Sequence, residues 1–125
     1  MLAYDYAIVR VPPRVERGEQ LNAGVILSCA ANGYLRARFE LDEPLLQCLA
    51  PGFDAAPIRA VLAGIDAVCR GGPGAGALGS LSPRERFHWL AAPRSTSVQV
   101  SAVHTGRCND LDAALEDLLR KLVRR

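Results

Sequence analysis

At 125 residues, half of them hydrophobic and 22% charged, the chain is long enough for one self-sufficient buried core. Its formal charge of +2 is too small to argue by itself for a polyanionic partner. The longest apolar run, Ala23 to Ala31 with Ser28 inside it, falls far short of the roughly 20 residues a bilayer-spanning helix needs.

Fourteen of the fifteen basic residues are arginine, with Lys121 the single lysine. Forked recognition of carboxylate or phosphate would explain the bias; a GC-rich coding bias, which the many Ala, Gly and Pro residues also suit, is the simpler reading. Cys29, Cys48, Cys69 and Cys108 form no CxxC pair, and three of them fall on apolar stripes. Buried free thiols in a reducing compartment fit that pattern, and no metal or other cofactor is expected. The N-terminus lacks a basic region followed by an apolar run and a cleavage signal, so a cytoplasmic protein is expected.

In chain order, Ala3 to Val11 predicts a first strand, with Ala7, Val9 and Val11 on one face and Tyr4, Tyr6, Ile8 and Arg10 on the other. Pro12 and Pro13 remove two backbone donors and stop it. Arg14 to Gln20 is a charged connection. Leu21 to Ala30, apolar on both faces, predicts a second strand in the middle of a sheet. Asn32-Gly33 is a hairpin signal, and Tyr34 to Glu40 then alternates Leu35, Ala37 and Phe39 with Arg36, Arg38 and Glu40.

From Asp42 the period changes to helical. Asp42 can cap a short helix through Leu49, and Asp54 a longer one with Ile58, Val61, Leu62, Ile65, Val68 and Cys69 along one side. Residues 71–80 are glycine-rich. Within them Gly74 to Gly79 matches GxGxxG, but no strand precedes it and the next capped helix starts only at Ser82, so the stretch reads as a loop. Ser82-Pro83-Arg84-Glu85 is a capping box for a helix carrying Phe87, Leu90 and Ala91 inward. Thr96 to Val103 predicts a fourth strand. A last helix from Asn109 or Asp110 carries the stripe Leu111, Ala114, Leu115, Leu118, Leu119, Leu122 and Val123. The expected fold is a single α+β domain over residues 1–125. It has a small antiparallel sheet of about four strands, the first three a meander, with helices mainly on one face.

Two polar clusters are candidate ligand or partner sites. The first is the turn with Arg14, Arg17 and Glu19, followed by Asn22, where two arginines could hold an anion by charge-assisted hydrogen bonds. A solvated turn with weak Arg–Glu pairing is the plainer account. The second cluster brackets strand four: Arg94, Ser95 and Thr96 before it, His104 and Thr105 after it. Should strand four lie antiparallel beside strand one, Arg94 and the arginine turn would share one sheet end and His104 would lie at the other. No spacing supports a nucleophile–base pair around His104, so no catalytic residue is assigned. Tyr4, Tyr6, Arg10, Arg36, Arg38, Gln99 and Ser101 fall on the sheet face away from the core. Such an open face suits a protein partner or self-association, and less well a single-stranded nucleic acid.

Several segments together resemble the bacterial family of domain of unknown function 3037. They are residues 4–11, residues 13–19, Asn22 to Leu27, Trp89-Leu90 with Ala92 to Ser95, and Val103-His104-Thr105-Gly106. The resemblance spans nearly the whole chain. It implies a neighbouring HipA-like kinase as protein partner and implies no chemistry. The chain departs from the pattern at Val100-Ser101-Ala102, where a proline is expected. The leading expectation is therefore a non-enzymatic interaction or accessory module. A small enzyme or anion-binding domain built on Arg14, Arg17 and Arg94 is the alternative, with nucleic-acid binding on the sheet face behind it.

Overall fold

The structure, a computed structural model, describes residues 1–92 and 97–125. Strands β1 (Leu2–Val11), β2 (Leu21–Cys29) and β3 (Tyr34–Phe39) form the expected antiparallel meander. The doubly apolar β2 lies between the other two, as its composition requires. On the far side of β1 lie two short strands, β4 (Gln99–Val100) and β5 (His104–Cys108), both antiparallel to it.

The fourth strand expected over 96–103 is therefore corrected, Thr96 itself lying outside the described residues. Ser101 breaks it. The Ser101 N–H donates to Ile8 O at 2.8 Å, but the Ile8 N–H is taken by the Ser101 hydroxyl, also at 2.8 Å. A side chain thus replaces a carbonyl in the ladder. The register accordingly gains one residue between Val9↔Val100 and Tyr6↔His104. Ser101, expected on the open face, is buried.

A second bulge lies in β2. Pairing shifts between Val9↔Gly24 and Arg10↔Asn22, leaving Ala23 extra. The shift turns Ala23 and Leu21 to the side of Ile26, away from Val25, Leu27 and Cys29. Gly24 permits the bulge: a Cβ there would lie 2.3 Å from the Phe39 ring and 2.7 Å from Arg38 O.

Four α-helices follow, α1 (Glu43–Leu49), α2 (Ala56–Arg70), α3 (Pro83–Ala91) and α4 (Leu111–Leu122). Asp42 caps α1 through the Leu45 N–H, and Asp110 caps α4 through the Ala113 N–H. Ser82 and Glu85 complete both arms of the capping box on α3. Asp54 accepts from the Ala56 N–H at the start of α2. The GxGxxG stretch is a kinked 3-10 segment, Pro73–Ser80, that follows α2 and sends Leu78 to the core.

Helices α1 to α3 lie on one face of the sheet, over a core of Val9, Val11, Ile26, Leu46, Ile58 and Phe87. Two arginines, both from the capped helix α3, bind this layer together. Arg84 donates to Asp5 Oδ2 at 2.6 Å and Ser28 Oγ at 3.1 Å, two residues paired across β1 and β2. Arg86, 7% exposed, donates to Val68 O at 2.6 Å, Cys69 O at 2.8 Å and Leu81 O at 3.2 Å. It thereby satisfies carbonyls at the C-terminal end of α2, where a cation also suits the helix dipole.

Helix α4 covers the other face. Leu111, Leu115, Leu119 and Val123 pack on Val25, Leu27 and Cys29, with Tyr4, Tyr6 and Tyr34 against the same cluster. The open Tyr/Arg face is thus overturned. Strand residues two apart are spaced by roughly 6.7 Å, helix residues four apart by about 6 Å. Arg36 and Arg38 consequently meet Asp112 and Glu116 of α4 in step, while Glu40 meets Arg124 beyond the helix end. Arginines that looked solvated sit opposite acids of the chain's own helix.

Candidate functional site

The arginine turn is built by Pro12 and Pro13, both buried, which end β1 and start a one-turn 3-10 helix, Val15–Arg17. Arg14 and Arg17 are exposed. Arg17 spends its Nε on Glu19 at 2.5 Å, while Arg14 makes no side-chain hydrogen bond among the described residues. Asn22 bridges structural groups: it accepts from Arg10 Nε at 3.3 Å and donates to Leu122 O at 3.0 Å, tying the end of α4 to β2.

Strand β4 runs antiparallel to β1 with Gln99 opposite Arg10, and Gln20 Nε2 donates to Gln99 Oε1 at 2.6 Å. The start of β4 and the arginine turn thus share a sheet end. Arg94, Ser95 and Thr96 lie outside the described residues. His104 pairs opposite Tyr6, four residues from Arg10, or roughly 13 Å along the strand. It is exposed, its ring 5.3 Å from that of Tyr6. Thr105, opposite Asp5, is exposed as well. The structure therefore does not bring His104 and Thr105 to the arginine turn. The glycine after them has a packing role: Gly106 lies opposite Tyr4, and a Cβ there would come within 2.5 Å of the Tyr4 ring.

A different concavity has the shape of a binding site. A groove of about 450 Å³ opens between α2, the end of α3 and β4, lined by Val61, Ile65, Val68, Trp89, Leu90, Val98 and Val100. Its walls are mainly apolar, with the polar Gln99 among them. At its rim Trp89 is 42% exposed and Val61 37%. Cavities of a few hundred cubic ångströms with apolar walls are the usual form of a binding cleft.

Sequence reasoning missed this groove because Val61 and Ile65 continue the apolar stripe of α2 and looked like core. Among the described residues the stripe is wider than the surface that covers it, β4 having only two residues. Trp89 carried the available signal: it lies off the inward stripe of Phe87, Leu90 and Ala91. Among the described residues no group of three or more His, Cys, Asp or Glu could hold a metal ion, and no helix is long and apolar enough to cross a membrane. Cys29 and Cys69 are buried, Cys108 is half-buried and Cys48 exposed, all as free thiols. Burial, with Asp66 nearby, pushes the Cys69 thiol up to about 12.

The fold and the groove define a small α+β domain whose antiparallel sheet is packed between helices on both faces. Residues 6–123 match the family model described as Protein of unknown function (DUF3037), and the chain belongs to that family. No curated protein and no solved structure matches the chain.

Proposed function

We propose that this chain is a non-catalytic interaction module that docks a partner protein through the apolar groove between α2, α3 and β4. The observation carrying this reading is the pairing of a concave apolar wall with an exposed tryptophan at its rim. Trp anchors next to apolar pockets are the usual source of binding energy in protein interfaces. The sheet face first considered for docking is occupied by α4, so that face does not supply the surface. A HipA-like kinase, implied by the family resemblance, is the first partner to try, and the cytoplasm is the compartment this reading assumes.

Val61→Glu provides the test. Glutamate favours a helix more than valine does, and Val61 is at the groove rim, so folding is retained. A carboxylate desolvated in the complex weakens binding by about 2 kcal/mol or more, roughly 30-fold in Kd. Co-purification and titration with the kinase are expected to show micromolar or tighter association by the parent chain and its loss in V61E. Equal binding by both chains would reject the groove; failure of the parent chain to associate would reject the kinase.

A further inference from the structure

We propose that the outer edge of β3 is a second docking site, one that takes an extended acidic segment of a partner protein as an added strand. The backbone determines which groups are on offer. The Glu40 N–H donates to Ala23 O at 2.8 Å, and the same register runs through Val25↔Arg38, Leu27↔Arg36 and Cys29↔Tyr34 without a break. In an antiparallel ladder hydrogen-bonded and non-hydrogen-bonded pairs alternate. Tyr34, Arg36 and Arg38 thus turn their backbone groups to β2, while Leu35, Ala37 and Phe39 turn theirs outward. Among the described residues no strand pairs with that outer side.

This edge differs from the opposite one. On the β4/β5 side the Ser101 bulge interrupts the strand, a common means of blunting an edge, whereas β3 is regular. The β3 edge is also recessed. Two clefts of about 570 and 500 Å³ run along it, walled by the end of α2 and, in the larger, by the start of α4. A flanked, unbroken edge is the form that strand-addition sites take, with main-chain bonds giving affinity and alternate side chains giving specificity.

Charge selects the occupant. Arg36, Arg38 and Arg70 line the larger cleft, each in a surface ion pair with Asp112, Glu116 or Asp66. With side chains 65%, 49% and 79% exposed, these pairs are weak enough to be exchanged for an incoming carboxylate. Arg86 in the smaller cleft donates to backbone carbonyls and not to an acid. A second copy of β3 fits poorly: antiparallel self-pairing centred on Arg36, Ala37 or Arg38 sets an arginine opposite an arginine. A strand with acids at every second position places them beside Arg36 and Arg38 and turns its small apolar residues to Leu35 and Ala37.

The probe is an eight-residue synthetic peptide alternating Glu and Val, with a Lys/Val peptide as control, followed by fluorescence anisotropy at low and high salt. The parent chain is expected to bind the Glu/Val peptide with salt-sensitive affinity and the Lys/Val peptide at least tenfold more weakly. Ala37→Pro removes an outward N–H that no bond among the described residues uses, and proline is tolerated on sheet edges, so this variant is expected to lose the peptide. V61E is expected to keep it, which separates this site from the groove. No binding at about 1 mM peptide, or equal binding of both peptides, would mean that the arginines only guard the edge and would overturn the proposal.

Discussion

Helix α4 is held to the sheet by two kinds of contact, and their magnitudes differ enough to be separated. Leu119 is fully buried against Val25, Leu27 and Cys29. Leu119→Ala removes its transfer energy and leaves a cavity, a loss of about 3 kcal/mol. With a urea slope of about 1.5 kcal/mol per molar, the unfolding midpoint drops by roughly 2 M. The ion-pair row is weaker. Arg36 and Asp112 are 65% and 66% exposed and Arg38 and Glu116 49% and 41%, so solvent screens both pairs. Replacing Asp112 and Glu116 together by alanine also removes the acceptor of the Tyr34 hydroxyl and a partner of Arg124, and is expected to cost about 1–2 kcal/mol, still less than the leucine. Urea unfolding followed by far-UV circular dichroism measures both. A double variant that loses as much as L119A, or an L119A chain with an unchanged midpoint, would refute the claim that the apolar stripe holds α4 in place.

Three further outcomes follow from the packing. Arg86→Met leaves the carbonyls of Val68, Cys69 and Leu81 without their donor and is expected to cost about 3 kcal/mol, with Arg86→Lys recovering part of it, read by the same unfolding assay. Gly24→Ala forces a Cβ into the Phe39 ring and Arg38 O and is expected to lose about 1–3 kcal/mol by thermal unfolding. At about pH 8 a thiol-reactive disulfide is expected to label the exposed Cys48 rapidly and Cys69 only on unfolding. Because burial raises the Cys69 thiol above its ordinary 9.0, its contribution to stability is complete below that value and is lost as pH rises toward about 12.

Local signals were the legible ones. The alternation of β1 and β3, the capping residues Asp42, Ser82 and Asp110, and the stripe of α4 each depend on neighbours within a few residues, and each appears where the pattern places it. The bulges at Ala23 and Ser101 were not legible, because each depends on contacts from another strand: Phe39 over Gly24, and Ile8 on the Ser101 hydroxyl. The helix over the Tyr/Arg face was partly written in the chain. Arg36 and Arg38, two apart on a strand, match Asp112 and Glu116, four apart on a helix, but seeing it requires setting the two segments side by side. Arg86 gave no sign of its role, since an arginine on a short helix is ordinarily solvated. The candidate site was legible only in Trp89, a large aromatic off its helix's inward stripe.

Trp89 is the single tryptophan of the chain and stands at the rim of the groove, so its emission reports directly on docking there. In a complex with the proposed kinase partner, carrying no tryptophan of its own at the interface, a blue-shifted indole emission and protection from acrylamide quenching are expected. A complex that forms while Trp89 keeps the emission and quenching of the free chain would contradict it.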